Sequence, residues 1–265
     1  MRACCPALAA GAPRVYLMEH KEYETMFAEE DGHWWYRGME RITISLLNQL
    51  YPEPHDLCIL DAGCGTGGAM KYLSPMGTVT GCDLSPLGLA FCRRRALPGL
   101  GQASVTSLPF PSASFDLVTS FDVLYHRAVT DHRSALADFW RVLRPGGRLM
   151  LRLPAYDWLR RYHDVVVHTG RRFSAAGLRR DLVWAGFAVE RLTYANTFSL
   201  PPAIFQSVVE KRLPPRKRPT VQSGPAWQNA LFCRLLYAEA RWLRAHSLPF
   251  GLSLVGVARK PDNDL

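Results

Sequence analysis

The stretch LDAGCGTGG, residues 60–68, decides the fold of this chain. Gly63, Gly65 and Gly68 are spaced as G-x-G-x-x-G, after an apolar run at 57–60 and before a helical pattern at 68–73. Glycines at this spacing allow a tight turn and let a ligand approach the backbone at the start of a helix. The stretch therefore predicts a strand–loop–helix unit that binds a nucleotide-like ligand, although a plain turn gives the same glycines.

Short apolar runs and helical stretches alternate on both sides of this loop. The pattern predicts strands at 57–60, 78–82, 100–105, 115–120, 148–153, 187–194 and 252–258, and helices at 68–73, 87–95, 134–143 and 173–185. Repeated strand–helix units need a parallel sheet with helices on both faces. We therefore expect a doubly wound α/β fold.

The composition is that of a globular chain with a basic balance. Of 265 residues, 48% are hydrophobic and 21% charged, and the formal net charge is +9. No apolar run reaches the roughly 18 residues of a membrane-spanning helix. A basic surface attracts nucleic acid, anionic lipid or phosphorylated substrates. The excess is mostly Arg, however, which GC-rich coding also produces without any function.

The cysteines give no metal or disulfide pattern. The chain has seven, without a CxxC pair or a Cys/His cluster at zinc spacing, and several lie in apolar runs. We therefore expect a reducing, cytoplasmic location and no metal. Residues 1–14 are too short and weakly apolar for a secretory signal and are predicted to form a disordered tail.

Two acidic residues narrow the choice of ligand. Asp83 ends the second predicted strand, about 20 residues after the loop, where a carboxylate holds ribose hydroxyls. Asp61 precedes Gly63 by two residues, where it would repel the pyrophosphate of a nicotinamide or flavin cofactor. It suits a ligand with an amine and a sulfonium, such as S-adenosylmethionine. The structural alternatives are loop support for Asp61 and an Asx turn for Asp83.

Four motifs in register resemble the class I S-adenosylmethionine-dependent methyltransferases. They are LDAGCGTGG at 60–68, VTGCDLS at 79–85, SLPF at 107–110 with SFDLV at 114–118, and RVLRPGG at 141–147. The resemblance implies a Rossmann-like, seven-stranded, mostly parallel sheet with an antiparallel last strand. The implied organisation is a tail at 1–14, an N-terminal helical lid at 15–52, a cofactor-binding core at 53–194, a helical insertion or cap at 195–251, and a last strand and tail at 252–265.

The resemblance also implies a set of cofactor-binding residues. The loop would hold the methionine part, Asp83 the ribose hydroxyls and Leu84 the adenine. Ser104 stands where the family often has an Asp that accepts from the adenine amino group, and residues 121–122 would line the sulfonium end. The full set is Asp61, Gly63, Cys64, Gly65, Asp83, Leu84, Ser104, Val105, Phe121, Asp122, Trp34, Tyr36 and Arg37.

The N-terminal part of that set comes from HWWYR, residues 33–37. Two adjacent Trp in a polar setting would cover the cofactor or form an aromatic wall for the substrate, as in the family's N-terminal lids. Arg37 would meet the cofactor carboxylate. The alternative is that one Trp fills the core and the other lies on the surface.

Residues just past the fourth strand are the catalytic candidates. His126 has a side chain that titrates near neutrality, so it is a candidate general base, and Tyr125 is a candidate lining residue. In many relatives a His at this place instead packs under the cofactor or begins the next helix. The chain also lacks the Asn/Asp-Pro-Pro-aromatic motif of base-methylating enzymes, since residues 120–123 read SFDV. DNA methylation is therefore not expected.

The leading functional hypothesis is an enzyme that methylates a small, partly hydrophobic molecule. The insertion would cap the site, and its apolar helices would contact the substrate or a second copy in a homodimer. The alternative is an RNA methyltransferase, or a non-catalytic S-adenosylmethionine-binding protein, with a basic surface around 216–218. The run Arg93-Arg94-Arg95 is predicted to lie on the exposed face of a helix.

Overall fold

The computed structural model describes residues 18–53, 56–160, 164, 167–212 and 224–262. The predicted tail at 1–14 and the basic stretch at 216–218 lie outside these residues. No helix within the described ranges is long and apolar enough to cross a membrane.

Seven strands of the described chain form one sheet in the order β3-β2-β1-β4-β5-β7-β6. Only β7 runs antiparallel to its neighbours, β5 and β6, so the predicted fold class is confirmed. The third strand is shorter than predicted, because a local turn in which the Ser104 hydroxyl accepts from the Thr106 amide ends the pairing. The strands are β1 Leu57–Ala62, β2 Gly77–Asp83, β3 Leu100–Gln102, β4 Phe115–Phe121, β5 Leu143–Pro154, β6 Ala188–Ala195 and β7 Ser253–Arg259.

Helices cover both faces of this sheet. Successive residues of one strand point to opposite faces, so Ile59 packs with α2, α3 and α8 while Leu60 packs with α5 and α6. This arrangement explains why the central strands are continuous apolar runs. The helices are α1 His20–Glu29, α2 Trp34–Leu50, α3 Gly68–Leu73, α4 Pro86–Arg94, α5 His132–Val142, α6 Ala175–Trp184, α7 Leu200–Arg212 and α8 Ala226–Trp242.

The region predicted as a lid contains a core helix. α2 buries Ile42, Leu46 and Leu47 beneath the sheet, so it cannot open as a lid without exposing the core. It packs closely on α8, because a Cβ atom on Gly38 would lie 2.0 Å from Leu236 Cδ1. A covering role remains an expectation for α1 and for the first residues of α2.

The insertion helix α8 buries one face and exposes an apolar stripe on the other. Its apolar stripe, which includes Trp227, Leu231 and Trp242, is exposed. The opposite face, with Cys233 and Leu236, is buried against α2. The glycine at position 38 of α2 leaves room for Leu236, while the larger side chains of the opposite stripe stay exposed.

Candidate functional site

A cleft of about 1280 Å³ lies at the carboxyl ends of the parallel strands. This is the edge where open α/β sheets bind ligands. Parts of α1, the start of α2 and the insertion form its other walls. Every candidate residue of the sequence analysis lines it: Trp34, Tyr36, Arg37, Asp61, Gly63, Cys64, Gly65, Asp83, Leu84, Ser104, Val105, Phe121, Asp122, Tyr125 and His126.

The glycine loop is fixed between β1 and β2. The amides of Gly63 and Cys64 donate to the Cys82 carbonyl at 2.7 and 3.0 Å. Gly63 has a φ of +86°, and a Cβ there would lie 2.3 Å from Val123 Cγ2. The Cys92 thiol and burial raise the pKa of Cys64, so its thiol is uncharged. Cys64 therefore contributes packing and its backbone, while the loop is held ready for a ligand.

Asp83 lies beside this loop with both carboxylate oxygens oriented. One oxygen accepts from the Gly65 amide at 2.9 Å and the other from the Ser85 amide at 2.8 Å. Burial raises the pKa of Asp83, while the two amides lower it. Each carboxylate oxygen has lone pairs for more than one donor, so the pair can also accept from a ribose diol.

The residues beyond β3 border the cleft on the side predicted for adenine. Val105 is buried, and Leu84 is half-buried. The Ser104 hydroxyl is 2.8 Å from the Thr106 hydroxyl and accepts from the Thr106 amide at 3.3 Å. A hydrogen bond from this hydroxyl to adenine would compete with the local turn, and its role stays a prediction.

Asp61 lines the cleft, and one of its two carboxylate oxygens lacks a hydrogen-bond partner among the described residues. The side chain is 2% exposed, and Oδ1 accepts from the Thr119 hydroxyl at 2.8 Å. Oδ2 is buried and has no hydrogen-bond partner among the described residues. Burial raises the pKa of Asp61 to about 7. Leaving such an oxygen unpaired costs about 1–3 kcal/mol, which a cationic ligand group would offset.

Buried Arg152 and half-buried Asp122 form an ion pair near the ends of β5 and β4. Arg152 Nε donates to Asp122 Oδ2 at 2.6 Å. Asp122 has a φ of +56°, and its amide donates to the Arg152 carbonyl at 2.8 Å. The guanidinium lies over the rings of Trp35 and Phe121, with its carbon 4.9 Å from each centroid. Asp122 and Phe121 therefore line the cleft as predicted, but with an arginine between them and α2.

The end of α1 is fastened to the glycine loop through a second ion pair. Glu30 Oε2 accepts from the Thr66 hydroxyl at 2.5 Å and from Arg95 at 2.9 Å. Arg95 also donates to the Thr66 carbonyl and to Asp31. The prediction that Arg95 lies on an exposed helix face was therefore wrong. Its side chain is pulled inward by a carboxylate from α1, which the local helical pattern does not reveal.

The HWWYR stretch begins α2 and places its rings on the cleft. Trp34 contacts Phe198 and Phe232 of the insertion, with ring centroids 5.7 and 5.1 Å apart. Trp35 contacts Arg152, and its ring packs edge-on against Tyr36 at 4.9 Å. Both Trp are half-buried, so the division into one core and one surface Trp does not hold. Arg37 is exposed at the rim.

His126 is held in a defined orientation by the turn that follows it. Its Nδ1 accepts from the Ala128 amide at 3.1 Å. In the neutral ring this bond favours the tautomer that carries the proton on Nε2. Burial, followed by His168 and Arg127, lowers the pKa of His126 to about 4. Burial raises the pKa of the neighbouring Tyr125 phenol, which therefore stays protonated.

Several residues of the site were missed at the sequence level. Tyr23 of α1 is buried near Asp83 and Ser85, and burial raises its pKa to about 12. Thr119 and Glu30 had no distinguishing local signal. Arg152 had one, because it interrupts the apolar strand sequence LMLRL at 149–153. A buried Arg almost always has a partner.

The fold and the cleft together define a Rossmann-like domain for a nucleoside ligand that carries a cationic group. The carboxylate of Asp83 fits a ribose, and the unpaired Oδ2 of Asp61 fits an amine. A Cβ on Gly63 would collide with the Val123 side chain, so this position of the loop requires glycine. The site fits S-adenosylmethionine, which has both a ribose and an amine.

Comparisons with known proteins agree. Residues 60–151 match the family described as "Methyltransferase domain". The chain is 32% identical over 166 residues to an O-methyltransferase of Pyrenophora dematioidea, covering 57% of this chain and 61% of that protein. It is 32% identical over 169 residues to the trans-aconitate 2-methyltransferase of Deinococcus radiodurans, covering 62% and 60%.

A solved structure is also similar to the whole fold. Phosphoethanolamine N-methyltransferase 2 of Haemonchus contortus, in complex with S-adenosyl-L-methionine, has a TM-score of 0.58 at 17% identity, over 92% of this chain and 57% of that chain. At this identity the likeness supports the fold alone. The matches span about three fifths of the length of the two curated relatives. Residues 60–151 thus contain a methyltransferase domain similar to those of the S-adenosylmethionine-dependent methyltransferases, and the cofactor of such domains is S-adenosylmethionine.

Proposed function

We propose that the chain transfers a methyl group from S-adenosylmethionine to a small, partly hydrophobic molecule. The observation that carries this proposal is a single cleft that joins two different surfaces. One end has the glycine loop with Asp61 and Asp83, and the other has the aromatic group Trp34, Phe198 and Phe232. A cofactor and an apolar acceptor would therefore meet in one enclosure.

The residues of the chain would act mainly by holding the two reactants. The backbone of the loop and Asp61 would bind the methionine part, and Asp83 the ribose. Bound there, the cofactor supplies an already activated methyl group, so orientation and exclusion of water provide most of the rate. Arg37, at the rim, is the proposed partner of the cofactor carboxylate. The name of one relative, O-methyltransferase, favours an oxygen acceptor.

Calorimetry with S-adenosylhomocysteine tests the proposal first. We expect saturable binding of this product and none of NADH, because Asp61 would repel a pyrophosphate. Transfer of label from methyl-labelled S-adenosylmethionine into extractable small molecules would then support catalysis. Binding of NADH instead would reject the proposal. Tight RNA binding that weakens steeply with salt would favour the alternative with a basic surface. A cytoplasmic location and a homodimer through the insertion helices stay expectations.

The role of His126 is tested by substitution at saturating cofactor. Because Ala128 fixes the proton on Nε2, we expect His126→Ala to reduce turnover by less than about tenfold, against about 10²–10⁴-fold for a general base. His126→Gln, which keeps a donor, is expected to restore the wild-type rate. The base role predicted from the sequence would instead be established by two results together. Both variants would lose more than a hundredfold in turnover, and the wild-type rate would fall as the His126 ring becomes protonated.

A further inference from the structure

Arg152 is a buried cation with unused hydrogen-bond donors. It is 9% exposed and lines the cleft. Within the described ranges, its hydrogen bond to Asp122 engages only Nε, which leaves both Nη groups without a protein acceptor. A guanidinium has five N–H donors in a rigid fork. Because Arg152 lines the cleft, the four N–H donors on its Nη groups are available to an acceptor from a ligand.

The geometry around the guanidinium selects a planar acceptor. The guanidinium carbon lies 4.9 Å from the ring centroids of both Trp35 and Phe121, so the two rings confine the fork. The bond from Nε to Asp122 further restricts its orientation. The edge that remains matches the two oxygens of a carboxylate, the partner that arginine binds in a bidentate manner.

The local charge balance favours an acceptor with a single negative charge. Arg152 pairs with Asp122, and Asp61, whose pKa is also lowered by Arg152, would pair with the cofactor amine. The sulfonium of the bound cofactor then adds one positive charge. A monocarboxylate brings the sum to zero, whereas a phosphate dianion would leave an excess negative charge in a buried place. The nearby phenols of Tyr36 and Tyr72 are kept neutral, because burial raises the pKa of each.

The adjoining wall of the cleft is apolar. Trp34 lies in the same turn of α2 as Trp35. With Phe198 and Phe232 it forms an aromatic cluster whose ring centroids lie 5.1 to 5.7 Å apart. A molecule with its acid group at Arg152 therefore has an apolar surface against which its other end can pack.

We propose that the methyl acceptor is a monocarboxylic acid with an apolar tail, whose carboxylate is bound by Arg152 and converted to a methyl ester. This inference rests on the proposed methyltransferase function. A carboxylate oxygen forms a bond to the methyl carbon as the carbon–sulfur bond breaks, and the electron pair stays on sulfur. The products are the ester and S-adenosylhomocysteine. No proton moves, so the step needs no general base, which agrees with the donor orientation of His126.

A matched pair of probes tests this site by binding alone. With sinefungin at saturation, an analogue that carries an ammonium in place of the methylsulfonium, 4-phenylbutyrate is expected to bind at least tenfold more tightly than 4-phenylbutyramide, which has the same shape without the charge. In Arg152→Met the two probes are expected to bind equally, while Arg152→Lys keeps part of the preference. The control is Arg148→Met, because Arg148 also pairs with a carboxylate, Glu190, and stacks on a ring, Tyr51, but lies outside the cleft.

The outcomes separate the inference from the proposed function. Equal binding of acid and amide to the wild type, together with normal binding of S-adenosylhomocysteine, overturns the carboxylate site and leaves the methyltransferase proposal standing. Loss of S-adenosylhomocysteine affinity in Arg152→Met, with methylthioadenosine binding unchanged, also overturns it by assigning the guanidinium to the cofactor carboxylate. Arg152→Met leaves Asp122 unpaired and could misfold for that reason. In that case the double variant Arg152→Met with Asp122→Asn allows the same comparison of acid and amide binding.

Discussion

Replacing Asp83 by Ala is expected to weaken binding of S-adenosylhomocysteine by about 10- to 150-fold. This range corresponds to the roughly 1.5–3 kcal/mol of a hydrogen bond to a charged group. Asp83 also accepts from the amides of Gly65 and Ser85, so its loss removes both a ribose partner and a contact that orients the loop. Asp83→Asn, which keeps one acceptor oxygen without the charge, is expected to lose less. Calorimetry at pH 8 gives the values directly.

Asp116 provides the matched control for this experiment. Its carboxylate also accepts from a backbone amide, that of Cys58 at 2.8 Å, but at the start of β4, away from the cleft. Asp116→Ala is expected to lower thermal stability and leave the affinity for S-adenosylhomocysteine unchanged. Wild-type affinity in Asp83→Ala, in a folded protein, would contradict the assignment of this carboxylate to the ribose.

The parts of the fold that the sequence predicted are those set by local spacing. The loop at 60–68 and the strands beside it follow from glycines and apolar runs that are close together in the chain. The candidate residues Asp61 and Asp83 could be identified because each comes directly after a predicted strand in the sequence. Their common position on the cleft then follows from the parallel sheet.

The parts that were missed depend on contacts between distant segments. Glu30 and Arg95 meet across 65 positions, and Asp122 and Arg152 across 30. A charged residue in a buried strand, such as Arg152, indicates that a partner exists, but the sequence does not identify that partner. The face that α8 buries also depends on a distant segment, because Leu236 packs where Gly38 of α2 has no side chain.

The affinity for S-adenosylhomocysteine is expected to rise with pH up to about pH 7 and then level off. Burial raises the pKa of Asp61 to about 7, so the carboxyl group of the free protein is largely protonated below that pH. A bound amine stabilises the carboxylate and lowers its pKa in the complex. Binding below pH 7 must therefore release a proton, at a cost of about tenfold in affinity for each pH unit.

The neighbours of Asp61 do not reverse the rise in its pKa. The Thr119 hydroxyl and the Arg152 guanidinium lower its pKa, and Asp83 and Glu30 raise it, but burial exceeds them all. Calorimetry between pH 5.5 and 8, in buffers with different heats of ionisation, measures the affinity and the released proton together. Asp61→Asn is expected to bind more weakly, with no proton release and a flat profile. The same slope in that variant would place the titration on another group.

Thermal stability gives an independent check, because the stability of the free protein is expected to fall with rising pH while its affinity for the ligand rises. Because the folded pKa of Asp61 lies above its usual value, charging the buried carboxylate as pH rises from 4 to 8 opposes folding. The ligand provides the cation that this carboxylate lacks. The increase in melting temperature caused by S-adenosylhomocysteine is therefore expected to be larger at pH 8 than at pH 6. Asp61→Asn removes the titrating group and is expected to show the same increase at both pH values.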